Sequence, residues 1–99
     1  MSNPRRAVID VGTNSVKLLV AEVAERRVEP LLEDSRQTRL GRGFYETHRL
    51  LPVAIAQTAL AVGEFSRVAK KLGAVSVRVI ATSAARDALN VGELIAAVE

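Results

Sequence analysis

The stretch "AVIDVGTNSVKLLV", residues 7–20, decides the fold. Two runs rich in Val, Ile and Leu flank five small or polar residues, Asp10, Gly12, Thr13, Asn14 and Ser15. Runs of this kind on either side of a short Gly-containing turn read as a β-hairpin over 6–11 and 15–23. A tight turn needs only two such residues. Five of them, at the carboxyl end of an apolar strand, raise the expectation of a tip that holds a ligand. Asp10 can bind Mg2+ directly or through water. Gly12 lets backbone amides approach an anion. Thr13, Asn14 and Ser15 add side-chain donors for phosphate oxygens. The same residue types are also what plain turns prefer, so the tip alone leaves both readings open.

Downstream, "RRVEPLLEDSRQTRL" (26–40) begins as a third strand after a polar turn near Glu25–Arg27, and Pro30 within it argues for an edge position or a bulge. The segment 41–50, "GRGFYETHRL", reads as a loop. Pro52 opens a helix and Gly73 closes it, the usual asymmetry of first-turn proline and terminal glycine. Inside that helix Ile55, Ala59, Val62, Phe65, Ala69 and Leu72 form one apolar stripe. "VSVRVIA" (75–81) alternates as a fourth strand and runs into "TSAARDALN". Ala84–Leu89 suits a short helix, and Asn90 with Glu93 resembles the opening cap of another.

The order β-β-β-α-β-α-α implies a mixed sheet with the fourth strand parallel to the first. Both polar strand ends then lie at one rim, where open α/β sheets bind ligands. Thr82 and Ser83 stand at a strand-to-helix junction, where hydroxyls and amides can receive an anion. Arg86 follows within the first turn, where a positive charge opposes the helix dipole unless an anion is bound.

Composition narrows the class. Ninety-nine residues, 48% hydrophobic and 25% charged, fit one globular unit, taken as residues 1–99. The formal charge of +3 rests on 11 arginines against three lysines. Arginine's planar fork suits phosphate, although GC-rich coding yields the same bias. The absence of cysteine excludes disulfides and thiolate metal sites, and a single histidine, His48, excludes a histidine-rich zinc centre. No apolar run reaches the roughly 20 residues of a membrane helix, and no secretory leader is apparent. A soluble, cytoplasmic chain without membrane or DNA partners is the expectation.

These residues resemble a known family. "AVIDVGTNSVKLLVAEV" resembles the first phosphate motif of the superfamily of acetate kinase, sugar kinases, heat-shock chaperones and actin. "RLGRGFYETHRLLPVAI" and "VIATSAARDALN", in this order and at this distance, are similar to segments of the Ppx/GppA family of exopolyphosphatases and guanosine pentaphosphate phosphohydrolases. The resemblance spans roughly residues 6–95 and implies a ribonuclease H-like, actin-like fold. It implies Mg2+-dependent hydrolysis of a terminal phosphoanhydride, releasing orthophosphate from polyphosphate or a guanosine penta- or tetraphosphate. It assigns Asp10 to the metal region, and Gly12, Thr13, Asn14, Ser15, Thr82, Ser83 and Arg86 to the phosphates. Asn90 matches an asparagine that shapes a turn, and Lys17 is a peripheral phosphate contact at most. The family's catalytic glutamate and second glycine-rich loop fall beyond Glu99. The expectation is thus the amino-terminal part of a first actin-like domain, cut within a helical pattern and inactive alone. The whole protein is expected to be a homodimer, and the 99-residue chain to self-associate. A sugar kinase of the same superfamily and a non-catalytic phosphate-binding module are the alternatives.

Overall fold

The computed structural model describes residues 3–41, 47–81, 88 and 90–98. Four strands, β1 (Arg5–Val11), β2 (Ser15–Ala24), β3 (Arg27–Gln37) and β4 (Ala74–Ala81), form one sheet in the order β3-β2-β1-β4. β1 is antiparallel to β2 and parallel to β4, and β2 is antiparallel to β3. The mixed sheet expected from the element order is therefore present.

The alternation of β1 and β2 sorts their side chains. Ala7, Ile9, Val11, Val16, Leu18 and Val20 are buried on one face, while Val8, Asp10 and Leu19 line a groove on the other. Against the buried face lies α1 (Pro52–Lys71), which presents Ala54, Ile55, Thr58, Ala61, Val62, Phe65 and Ala69. Ala59, expected in the stripe, is half-buried, and Ala54, Thr58 and Ala61 lie deeper. The small residues Ala54, Thr58 and Ala61 sit three to four apart, the spacing that keeps one helix face continuous.

Pro52 occupies the first turn of α1, and Lys70 and Lys71 its last turn, where cations complement the helix dipole. Gly73 has φ +80°, and its N–H donates to the Lys70 carbonyl at 3.0 Å. That left-handed backbone suits glycine. Arg5 Nη1 donates to the Leu72 carbonyl at 2.9 Å, tying the start of β1 to the end of α1.

β3 is an edge strand, and its register skips Leu31 beside Pro30, so both expectations for the proline hold. Arg36 of β3 pairs with Glu64 of α1 and lies 5.4 Å from the Phe65 ring centroid. β3 ends at Gln37, within the stretch 26–40 that begins as the third strand. A second helix, α2 (Val91–Val98), buries Leu94 in the same core. The helix expected over 84–89 lies outside the described residues apart from Ala88, which is buried.

Candidate functional site

The β1–β2 tip is closed by the Gly12 N–H, which donates to the Ser15 carbonyl at 2.9 Å. A Cβ on Gly12 would sit 3.1 Å from that oxygen. The turn is thus tight enough to favour glycine, and the Gly12 amide donates within it.

The segment that leaves β3 folds back onto this tip. Thr38 and Arg39 N–H groups both donate to the Asn14 carbonyl at 3.0 Å, and the Gly41 N–H donates to the Thr13 carbonyl at 2.7 Å. These bonds explain the early end of β3: from Thr38 onward, backbone donors serve the tip instead of the sheet. They also have an electrostatic consequence. The Thr13 and Asn14 carbonyls, whose negative ends would repel an anion, are both engaged as acceptors. A Cβ on Gly41 would run into the Thr13 methyl group, so this close approach depends on glycine. "RLGRG" is legible in the sequence as the start of a loop and as part of a family segment, but not as a contact with the tip.

Thr13 and Ser15 are half-buried and Asn14 is exposed, so their side chains sit at a solvent boundary. Asp10 is half-buried, and its Oδ1 is fully buried with no hydrogen-bond partner among the described residues. A buried carboxylate oxygen without a partner is unusual and marks a place where a ligand would be favourable. Asp10 faces Lys17 across the hairpin and Ile80 across β1–β4. These three side chains, with Val8, Leu19, Glu33 and Ser35, line a groove of about 690 Å³ on the face that α1 leaves open.

The described residues contain no group of three or more His, Asp or Glu placed to chelate a cation. Mg2+ commonly takes one or two carboxylates and completes its octahedron with water and substrate phosphate. Asp10 and its orphaned oxygen fit that role.

Val11 pairs with Ala81, so β1 and β4 end side by side at the same rim. The assignments to Thr82, Ser83 and Arg86 fall on residues outside the described ones.

Asn90 does more than open α2. Its Oδ1 accepts from the Leu50 N–H at 2.7 Å, while its Nδ2 donates to the Leu50 carbonyl at 3.0 Å and to Glu93 Oε2 at 3.0 Å. Only 8% exposed, the side chain replaces a missing backbone partner for the segment before α1. The helix-start contact expected of Asn90 is made by its backbone: the Glu93 N–H donates to the Asn90 carbonyl at 3.0 Å. The side chain serves Leu50, 40 residues away in sequence.

A mixed α/β sheet with a glycine-dependent strand tip at the carboxyl ends of two parallel strands defines a class of ligand-binding α/β proteins. Within that class, the model of the Ppx/GppA phosphatase family matches residues 19–99. The chain is 40% identical to exopolyphosphatase 2 of Mycobacterium tuberculosis over 94 residues, covering 91% of this chain and 30% of that protein. It is 30% identical to the guanosine-5'-triphosphate,3'-diphosphate pyrophosphatase of Vibrio cholerae over 96 residues, covering 97% of this chain and 19% of the other. The crystal structure of the Aquifex aeolicus Ppx/GppA family member superimposes with a TM-score of 0.89 at 33% identity, covering 96% of this chain and 31% of that one. The chain belongs to the Ppx/GppA phosphatase family, and its sheet is that of the family's actin-like fold. It spans less than a third of the length of the curated relatives it matches.

Proposed function

We propose that this chain supplies the first phosphate-binding loop of a phosphoanhydride hydrolase that removes orthophosphate from the end of polyphosphate or guanosine pentaphosphate. The reading is supported by family membership and by the names of the relatives, an exopolyphosphatase and a guanosine pentaphosphate pyrophosphatase. The observation that carries it is the Asp10 carboxylate, whose buried Oδ1 lacks a partner among the described residues immediately before the Gly12–Ser15 turn.

In this reading Thr13, Asn14 and Ser15 grip phosphate oxygens, and the engagement of the Thr13 and Asn14 carbonyls by segment 38–41 keeps repulsive dipoles away from them. Asp10 holds Mg2+, which neutralises charge on the phosphate chain. Thr82, Ser83 and Arg86, which follow β4 in sequence, add donors from the second motif. The protein's contribution is positioning and charge stabilisation. The water-activating glutamate belongs to the remainder of the protein, so the 99-residue chain is inactive alone. Cytoplasmic polyphosphate and guanosine nucleotides are the substrates this assignment implies.

Orthophosphate release from polyphosphate and from guanosine pentaphosphate, measured with Mg2+ on the 99-residue chain and on the whole gene product, tests the reading. Activity is expected only in the whole product, where Asp10→Asn lowers it by about a hundredfold, the scale of losing a principal charge-stabilising group. A whole product inert on both substrates overturns the assignment.

A further inference from the structure

We propose that Arg39 is a further phosphate-binding residue, its backbone held beside the Gly12–Ser15 loop by its amide bond to Asn14. The inference rests on the reading of that loop as a phosphate site. Arg39 has φ 51°, a conformation that non-glycine residues adopt rarely and at a cost of about 1 kcal/mol or more. Strain of this kind persists only where the surroundings impose it. Here the constraints are visible: the Arg39 N–H donates to the Asn14 carbonyl, while Thr38 and Leu40 on either side are buried. The two anchors fix the backbone, and Arg39 between them is exposed. Its guanidinium makes no ion pair with a described residue.

Arg26 offers an internal contrast. It too has a positive φ, 62°, but it lies in the two-residue turn joining Ala24 to Arg27. A tight hairpin turn explains that backbone without any ligand. β2 separates Arg26 from the tip by ten residues, about 30 Å of strand. Arg39 lies at the tip end instead: Thr38 and Arg39 both donate to the Asn14 carbonyl, a bulge-like pairing that sets its backbone against the tip and leaves an exposed side chain with five donors. Arginine fits phosphate bidentately and keeps its charge at any physiological pH. A ligand carrying several phosphates would meet Thr13, Asn14 and Ser15 from the tip and Arg39 from the flank.

The test titrates tripolyphosphate into the ¹⁵N-labelled 99-residue chain at about 0.15 M salt, where charges beyond about 8 Å are screened. Amide shifts at Gly12–Ser15 and at Arg39 report the site. Arg39→Asn removes the charge with a residue that tolerates the left-handed region, and Arg39→Lys keeps the charge. Arg26→Asn repeats the same loss at the far end of the sheet. The expected result is a Kd raised about fivefold or more by Arg39→Asn, less than about threefold by Arg39→Lys, and less than about twofold by Arg26→Asn, a phosphate contact to an arginine being worth about 1–3 kcal/mol. Equal weakening by Arg39→Asn and Arg26→Asn, or an unchanged Kd in Arg39→Asn while the Gly12–Ser15 shifts persist, overturns the proposal and leaves the loop reading standing. Absence of shifts at Gly12–Ser15 in the unaltered chain overturns both.

Discussion

Asn90 and Gly41 show how single residues hold the site together without touching a ligand. Truncating Asn90 leaves the Leu50 N–H and carbonyl without their partners in a buried setting. Asn90→Ala is therefore expected to destabilise the chain by about 2–3 kcal/mol, read as a shift in the urea midpoint with an unchanged slope. Gly41→Ala acts by collision, since the new methyl group would displace Thr13. Overpacking of this kind costs about 1–3 kcal/mol. It should lower the melting temperature and also move the Thr13 and Asn14 amide signals, which Asn90→Ala should leave nearer their places. Asn90 was legible as a turn-shaping residue, but its partner was not, because Leu50 lies 40 positions away and only the fold brings it close. Gly41 was legible as a loop glycine for the same limited reason.

Elements obey sequence rules where their own side chains decide. The first-turn proline and terminal glycine delimit α1 because both act on the local backbone. At Gly73, with φ +80°, Gly73→Ala is expected to cost about 1 kcal/mol in thermal unfolding although open space surrounds the position. The contact between β3 and α1 separates charge from packing. Arg36 both pairs with Glu64 and covers the Phe65 ring. Exposed ion pairs contribute little, so Glu64→Gln should change stability by less than about 0.5 kcal/mol. Arg36→Ala, which also uncovers the ring, should cost about 1 kcal/mol. Equal effects of the two changes in a denaturation series would show that the pair, not the ring contact, carries the interaction. The end of β3 within 26–40 was not legible, because it is set by a tertiary contact: the Thr38 and Arg39 donors are taken by the Asn14 carbonyl.

At the scale of the molecule the described residues cover the sheet on one face. The described helices α1 and α2 share a single core with the sheet, and Val8, Leu19 and Ile80 remain beside the open groove. Sheets with parallel pairs are normally covered on both faces, and β4 carries a free edge. The extents of 51 × 23 × 20 Å fit such a two-layer shape. The chain is therefore expected to self-associate. Sedimentation over a concentration series should show a rising weight-average mass, and Ile80→Lys, a charge placed on the open face, should shift the equilibrium towards monomer. A mass independent of concentration would count against both the face and the edge as sticky surfaces.

By itself the sequence determined the strand and helix order, the edge character of β3, the family resemblance and the polar tip at Asp10–Ser15. These follow from short-range causes: side-chain alternation, the dihedral habits of proline and glycine, and a motif contiguous in the chain. Tertiary structure alone decided that segment 38–41 takes up the tip's carbonyls, that Asn90 clasps Leu50, that the Asp10 oxygen is buried without a partner among the described residues, and that the Arg39 backbone is held beside the tip. Each of these depends on which distant backbone groups compete for the same hydrogen bonds, and that competition exists only once the sheet has formed.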